Sequence, residues 1–204
     1  MLIFIISIYI MNFKEIKDKY QIKHNQIKKK NNFINQGGDL YLYGYDKIYE
    51  KYFSSIKELN LKICEVGVFE GEKLFILSKY FPNVEIYGYD IDISYVKNFE
   101  DEDYKNKVKE IKEMNSTIPN DIEHTFDIII DDGDHRPSAI IKTFNNFYAK
   151  LKKGGFYIIE DVTFLRKKVL LPLFQRKFEC KYEINHTSLE VDPEYHGIII
   201  IKKN

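Results

Sequence analysis

The sequence has few cysteines, and none of them stand at a zinc-binding spacing. Cys64 and Cys180 are the two cysteines among 204 residues, and they lie far apart in the chain. We therefore expect no cysteine-based metal site. So few cysteines also fit a reducing compartment such as the cytoplasm. Cys64 stands in the mostly apolar segment 61–66, which predicts a small buried side chain.

The sequence also lacks an excess of charge of either sign. Lys and Arg together number 31, as do Asp and Glu. No overall field then attracts nucleic acid or an acidic membrane surface. The one basic run, Lys28–Lys30, is short, and we expect a solvated face there rather than a phosphate site. Nucleic acid is therefore not an expected partner.

No apolar run is long enough for a membrane-spanning helix. Met1–Ile10 is almost wholly apolar, but a span needs about 20 such residues. The positive start and small-residue cleavage site of a signal peptide are missing as well. We expect this segment to be dispensable or to pack as a terminal segment, with Met11 as an alternative start. A stable membrane span is not expected.

Strands and helices alternate from residue 61 onward. Apolar runs predict strands at 61–66, 84–89, 108–113, 126–130 and 156–159. Helices are predicted at 12–30, 45–58, 72–80, 93–99, 137–151 and 162–175, the last of them broken near Pro172. Two final strands, 178–185 and 197–202, are expected to pair antiparallel. This order predicts an α/β fold with a doubly wound, mostly parallel seven-stranded sheet.

Two of the predicted strands end abruptly in acidic residues. Asp131, Asp132 and His135 follow the strand at 126–130, and Glu160 and Asp161 follow the strand at 156–159. Ligands bind at the carboxyl ends of parallel strands. Clustered carboxylates without basic partners repel one another, and a divalent cation such as Mg²⁺ relieves that repulsion. The pattern predicts a metal site with a nearby base, although turns and helix caps would explain each element singly.

Glycines follow the predicted strand at 61–66, and an acid follows the predicted strand at 84–89. Glu65 precedes Gly67 and Gly71 at a spacing that differs from the dinucleotide motif G-x-G-x-x-G. A glycine turn lets a ligand approach backbone N–H groups, although a tight strand-to-helix turn needs glycine too. Asp90 stands where an acid can bind ribose hydroxyls, or where it can cap the next helix.

Taken together, these motifs resemble the class I S-adenosylmethionine-dependent methyltransferases. The order E-x-G-x-x-x-G, acid-ended strand, D-D-G-x-H and G-G-x-Y-x-I-E-D is similar to the macrocin and mycinamicin type of sugar O-methyltransferase. The stretch 44–53 also looks like the segment that precedes the first strand in that family. The resemblance implies a methyltransferase domain at 37–204, behind an N-terminal extension and helix at 1–36.

The resemblance also implies a role for each site residue. His135 would be the general base, and S-adenosylmethionine and Mg²⁺ would be the cofactors. The implied metal ligands are Asp132, Glu160 and Asp161. The implied cofactor-binding residues are Glu65, Gly67, Gly71, Asp90, Asn115, Ser116 and Asp131. Lys73 stands where relatives often have a small residue, and we expect it to pair with the carboxylate end of the cofactor.

The implied activity is magnesium-dependent O-methylation of a sugar hydroxyl on a glycan or nucleotide sugar. A sugar hydroxyl is a poor nucleophile, but metal coordination lowers its pKa and a histidine can then accept the proton. A catechol or another small diol would use the same chemistry. A non-catalytic cofactor-binding scaffold on the same fold is a third alternative. Assembly into a homo-oligomer stays open, and His196 is expected to end a strand rather than to enter the site.

Overall fold

A seven-stranded sheet forms the centre of the protein in the computed structural model, which describes residues 10–20, 25–29, 32–36, 39–184 and 196–204. The predicted terminal segment Met1–Ile10 lies outside these residues except for Ile10. The sheet order is β5-β4-β3-β6-β7-β9-β8. The strands are β3 Leu61–Val66, β4 Val84–Asp90, β5 Val108–Glu113, β6 Phe126–Asp131, β7 Leu151–Ile159, β8 Glu179–Glu183 and β9 Ile198–Lys202, and a separate pair is formed by β1 Asn25–Lys29 and β2 Asn32–Gln36.

The predicted sheet topology is confirmed. Strands β5, β4, β3, β6 and β7 pair parallel to one another, whereas β9 pairs antiparallel with both β7 and β8. The chain runs outward from β3 to β5 and then returns to place β6 beside β3. The order of the strands therefore reverses between β3 and β6. In open α/β sheets, the crevice at such a reversal is where ligands bind.

Helices cover both faces of the sheet because successive strand residues point to opposite sides. Ile63 and Ile128 belong to one hydrophobic core, and Cys64 and Ile129 belong to the other. The burial of Cys64 is as predicted. The helices are α1 Phe13–Lys19, α2 Asp39–Leu42, α3 Tyr45–Phe53, α4 Glu72–Tyr80, α5 Glu102–Lys107, α6 Pro137–Phe147 and α7 Phe164–Gln175.

The helix predicted over 12–30 is wrong beyond its first turns. Helix α1 is short, and its buried Phe13 stacks on Tyr80 of α4 with ring centroids 3.9 Å apart. Residues 25–29 instead form β1, whose Ile27 pairs with Ile34 of β2. Sparse apolar residues among lysines and asparagines fit both the helical period of about 3.6 residues and the strand period of about two residues. The spacing alone therefore does not distinguish a helix from a strand.

Two other helices also differ from prediction. The segment 93–99 holds only one 3-10 turn, Ile93–Tyr95, which Asp92 caps by accepting a hydrogen bond from Ser94 N. Helix α7 continues through Pro172, with buried Leu170 and Phe174 on either side of the proline to anchor it. Within the described ranges, no helix combines the length and apolar character that crossing a bilayer requires.

Candidate active site

The carboxyl ends of β3, β4 and β6 surround a cavity of about 520 Å³. It lies at the strand reversal, where the topology places a ligand crevice. Several residues predicted from the sequence line this cavity. They are Gly67, Asp90, Asn115, Ser116, Asp132 and His135. The structure thus brings the glycine turn, the acid that ends β4 and the acid–histidine segment after β6 to one space.

Gly67 allows two turns of the backbone to touch at the floor of this cavity. Its φ is +87°, and a Cβ at this position would lie 2.1 Å from the backbone oxygen of Asp132. Gly67 N donates to Tyr89 O at 2.8 Å, and Asp132 N donates to Val66 O at 2.8 Å. A side chain at position 67 would therefore separate the turn after β3 from the turn after β6.

Asp90 is held at the rim of the cavity by backbone donors. Its Oδ2 accepts a hydrogen bond from Phe69 N at 2.8 Å, and its Oδ1 accepts one from Asp92 N at 3.0 Å. The cap of the following 3-10 turn is Asp92 rather than Asp90. Each carboxylate oxygen keeps a further lone pair, so Asp90 can still accept hydrogen bonds from a ligand.

The loop after β5 forms the wall beside Asp90. Asn115 Oδ1 accepts hydrogen bonds from Thr117 N at 3.0 Å and Thr117 Oγ1 at 2.8 Å. Ser116 Oγ lies 2.9 Å from Thr143 Oγ1, and Asn146 Nδ2 donates to Ser116 O at 2.8 Å. The side chains of Asn115 and Ser116 therefore fix the loop that borders the cavity.

Three predicted cofactor residues do not line the cavity. Glu65 and Asp131 are buried in the sheet, and burial raises the pKa of each carboxyl to about 7. Asp131 Oδ2 accepts a hydrogen bond from Tyr157 OH at 3.1 Å. Gly71 is the left-handed N-cap of α4, where a side chain would meet Val96. Since all three are covered by protein, the structure gives them supporting positions.

Asp132, His135 and Asp161 form a group that could hold a metal ion. Each offers one ligand atom, and these atoms lie within 4.8 Å of one another. His135 Nε2 lies 3.8 Å from Asp161 Oδ2. Asp161 has a φ of +51°, a conformation that residues other than glycine rarely adopt. Such strain is retained mainly at functional sites.

Tyr45 and His196 lie next to Asp161, and neither contact was predicted from the sequence. Tyr45 OH donates to Asp161 Oδ1 at 2.9 Å, and His196 Nδ1 lies 3.5 Å from the same oxygen, too far for a good hydrogen bond. The His196 ring stacks on Tyr43 at 3.8 Å. Burial alone would raise the pKa of Asp161, but His196, His135 and Tyr45 hold it below its usual value. The prediction that His196 merely ends a strand is therefore incomplete.

Glu160 lies outside the group that could hold a metal ion. Its side chain is fully buried. One carboxylate oxygen accepts a hydrogen bond from Tyr49 OH, and the other accepts one from Lys73 Nζ at 2.7 Å. Of the three predicted metal ligands, the structure thus brings Asp132 and Asp161 together with His135. It gives both oxygens of Glu160 to neighbouring side chains instead.

Lys73 lies among the acids, where no basic partner was expected. Its Nζ is 2.7 Å from Asp132 Oδ2, 2.7 Å from Glu160 Oε2 and 3.2 Å from Glu65 Oε1. We call these four residues the Lys73 cluster. Burial alone would lower the pKa of Lys73, but the three carboxylates raise it well above its usual value. The expectation of acids without a basic partner is therefore wrong.

Asp134, which stands next to His135, is paired with a different residue. Arg136 Nε donates to Asp134 Oδ2 at 2.9 Å, and its guanidinium and backbone N–H make further hydrogen bonds to the same carboxylate. These bonds lower the pKa of Asp134 to about 2. The Asp134 charge is therefore neutralised by Arg136 rather than directed at the candidate metal group.

Comparison with curated proteins finds sugar O-methyltransferases. No protein-family model matches the chain. The L-olivosyl-oleandolide 3-O-methyltransferase of Streptomyces antibioticus is 27% identical over 126 residues, which are 55% of this chain and 31% of that protein. The mycinamicin VI 2''-O-methyltransferase of Micromonospora griseorubida is 25% identical over 130 residues, or 60% and 32%. The chain thus spans about a third of the length of these two relatives.

Solved structures show the same fold. MycE methyltransferase from the mycinamycin biosynthetic pathway, in complex with Mg and SAH, superposes with a TM-score of 0.61 over 96% of this chain and 55% of that one, at 18% identity. A ribosomal protein L11 methylase from Lactobacillus delbrueckii subsp. bulgaricus gives 0.59 over 89% and 90%, at 14% identity. The predicted methyltransferase fold and the resemblance to sugar O-methyltransferases are therefore confirmed.

Proposed function

We propose that this protein is an S-adenosylmethionine-dependent O-methyltransferase that acts on a sugar hydroxyl with the help of a divalent cation. One observation carries the proposal. A single cavity at the strand reversal has Asp90 on one side and Asp132 with His135 on the other, and these last two share the candidate metal group with Asp161. A methyl donor and an acceptor can therefore meet in one space.

The cavity suits the cofactor in size and in chemistry. Its volume of about 520 Å³ lies within the usual range for small-molecule sites, roughly 300–1,000 Å³. The Asp90 carboxylate, fixed by two backbone N–H groups, is placed to accept hydrogen bonds from ribose hydroxyls. Exposed Phe69 and Ile91 add apolar surface next to it. That surface suits the flat face of an adenine ring.

The candidate metal group suits Mg²⁺. Asp132 and Asp161 supply hard oxygen donors, and Mg²⁺ is usually bound by one or two carboxylates while it keeps several waters. When bound, S-adenosylmethionine supplies an electrophilic methyl group, and the cation lowers the pKa of a coordinated hydroxyl. Tyr45 OH holds the Asp161 carboxylate in orientation by its hydrogen bond to Oδ1.

His135 is the proposed general base rather than a metal ligand, because Mg²⁺ prefers the oxygens of Asp132 and Asp161 to an imidazole nitrogen. Its side chain is 32% exposed and borders the cavity, so it can contact an acceptor hydroxyl. Asp161 Oδ2, at 3.8 Å from Nε2, stabilises the charge that the ring gains when it accepts the proton. A positioned general base contributes about 10²–10⁴-fold to a rate.

An acceptor panel tests this function. S-adenosylhomocysteine formation would be measured with nucleotide sugars, glycans and catechols, in Mg²⁺ and in excess EDTA. We expect product with a sugar acceptor and loss of product in EDTA. Product with catechols alone would support the small-diol alternative. Calorimetric binding of S-adenosylhomocysteine without product on any acceptor would support a scaffold, and full activity in EDTA would remove the metal from the proposal.

A histidine pair tests the assignment of the base. His135→Ala is expected to lower kcat by about 10²–10⁴-fold, because the proton acceptor is lost, while affinity for S-adenosylhomocysteine stays the same. His124→Ala is the matched control, since His124 packs on Tyr87 at 4.5 Å and lies outside the cavity lining. An unchanged kcat in His135→Ala would remove this residue as the base.

A further inference from the structure

We propose that Lys73 acts as an internal counter-ion for the three carboxylates of the Lys73 cluster. It withholds Glu160 from the metal and lowers the affinity of the Asp132–Asp161 site for divalent cations. The inference rests on the metal site of the proposed function and deepens it. It departs from the ligand set implied by the family resemblance, in which Glu160 is a ligand.

The geometry of the ammonium group supports this assignment. A lysine ammonium has three donor hydrogens, and Lys73 Nζ has three carboxylate neighbours, at 2.7, 2.7 and 3.2 Å. Both oxygens of Glu160 already accept a hydrogen bond, one from Lys73 and one from Tyr49. Each Glu160 oxygen keeps a further lone pair, but the side chain is fully buried and lies 2.7 Å from the Lys73 ammonium, whose charge repels an approaching cation. Asp161, in contrast, lies next to His135 and Asp132 in the metal group.

The Asp132 carboxylate lies between the Lys73 ammonium and the candidate metal position. Its Oδ2 accepts from Lys73 Nζ, so Oδ1 remains for a metal ion. A positive charge at hydrogen-bond distance from one carboxylate oxygen repels a cation bound to the other, and the repulsion is strong where burial weakens solvent screening. Lys73 is 6% exposed. Its charge should therefore weaken metal binding at Asp132.

Lys73 can be altered without altering the ligand set. It enters the cluster from α4, whereas Asp132 and His135 follow β6 and Asp161 follows β7. Lys79 on the same helix provides a matched control. Its side chain is 4% exposed, and its Nζ pairs with Asp101 and with Asp103, the latter at 3.0 Å. Replacing either lysine removes one buried charge from α4, but only Lys73 adjoins the metal group.

The first experiment measures Mn²⁺ affinity of the full chain by calorimetry or electron paramagnetic resonance. Glu160→Gln keeps the shape of the side chain, and we expect its Mn²⁺ affinity to stay within about 3-fold of the wild type. Asp161→Asn removes a ligand charge, and we expect a loss of at least about 10-fold. An equal loss in both variants would show that Glu160 is a ligand and would overturn the proposal.

The second experiment compares Lys73→Met with Lys79→Met. We expect Lys73→Met to bind Mn²⁺ at least about 10-fold more tightly than the wild type, and to gain more in Tm when Mn²⁺ is added. Lys79→Met should match the wild type in both measurements. A folded Lys73→Met that binds Mn²⁺ no more tightly than the wild type overturns the proposal. If Lys73→Met does not fold even with Mn²⁺, the Glu160→Gln and Asp161→Asn comparison decides.

These readouts separate the inference from the proposed function. Metal affinity is measured without turnover, so a protein that shows the expected Mn²⁺ affinities but methylates no acceptor supports the role of Lys73 and contradicts the methyltransferase proposal. Mn²⁺ binding by Lys73→Met but not by the wild type supports the role of Lys73 and contradicts a metal requirement of the native chain. Absence of Mn²⁺ binding in both overturns the inference.

Discussion

Lys73 and Lys79 stand on the same helix, and both place a buried ammonium group between carboxylates. The carboxylates differ in their exposure to solvent. The acids around Lys73 are nearly buried, with side-chain exposures of 1% for Glu65, 16% for Asp132 and 0% for Glu160. The acids around Lys79 are 28% and 50% exposed. Water therefore still solvates the acids at one end of α4 and is nearly excluded from those at the other.

The difference separates a structural ion pair from a functional one. A pair whose acids reach water contributes little to stability, because solvent screens it in the folded state. A buried cluster costs free energy to desolvate, and it becomes strongly destabilising when one partner is removed. Proteins keep such arrangements mainly at functional sites. The Lys73 end of α4 therefore belongs to the site, and the Lys79 end belongs to the scaffold.

Unfolding of the two methionine variants should show the largest contrast. Lys73→Met leaves Glu65, Asp132 and Glu160 without their shared cation, so we expect a loss of about 3–5 kcal/mol in the free energy of unfolding. Lys79→Met should lose less than about 1 kcal/mol. Urea denaturation followed by circular dichroism, without divalent cations, measures both. Equal losses would contradict the distinction between the two ends.

Turnover should separate the acids that partner the two lysines. Asp132 partners Lys73 and borders the cavity, so Asp132→Asn should lower the rate of S-adenosylhomocysteine formation by at least about 100-fold, or about 2.7 kcal/mol of activation free energy. Asp103→Asn, at the Lys79 end, should leave the rate unchanged. Calorimetry should find similar cofactor affinity in both. A fully active Asp132→Asn would remove this residue from the chemistry.

Removal of the Tyr49 hydroxyl should destabilise the protein more than removal of the Tyr104 hydroxyl. Tyr49 OH donates to buried Glu160, so Tyr49→Phe should lose about 1–3 kcal/mol in unfolding free energy. Tyr104 packs on Phe75 and Phe99, and its buried hydroxyl has no hydrogen-bond partner among the described residues. Tyr104→Phe should therefore be neutral or slightly stabilising. Thermal unfolding of both variants checks the contrast, and a neutral Tyr49→Phe would argue against a tightly satisfied Glu160.

The smallest effect should be on the pH dependence of stability, through the Asp101 carboxyl next to Lys79. Partial burial raises the pKa of Asp101, but hydrogen bonds from Lys79 and Tyr104 N lower it below the usual 3.8. A carboxyl whose pKa is depressed by folding stabilises the protein above its unfolded pKa, and that stability is lost as the pH falls through its folded pKa. Acid denaturation below about pH 4 should therefore be less steep in Lys79→Met. An identical acid profile would contradict this contribution.

The position of Asp90 at the cavity could be predicted from the sequence because it depends on local geometry. Asp90 ends a strand, and a strand end in a parallel sheet faces the ligand crevice whatever packs elsewhere. Its carboxylate is held by Phe69 N and Asp92 N, which are backbone groups that any sequence supplies. The acids after β6 and β7 were placed at the same edge for the same reason.

The surroundings of the acids could not be predicted in this way. Tyr49 reaches them from α3, Lys73 from α4, and His196 from the segment just before β9. Tyr49 lies 111 residues from Glu160. Which side chain arrives beside a strand end depends on how each helix packs on the sheet. No local spacing encodes that packing, so three acids were expected to need a metal when a lysine already lies among them.

The close contact at Gly67 couples the movements of the two halves of the site. With no room for a Cβ between Gly67 and the Asp132 backbone, the turn after β3 cannot shift without moving the turn after β6. Binding on the two sides should then be thermodynamically linked, each ligand changing the affinity for the other by the same factor. Mn²⁺ affinity measured with and without S-adenosylhomocysteine would reveal it, and equal values would show two independent halves.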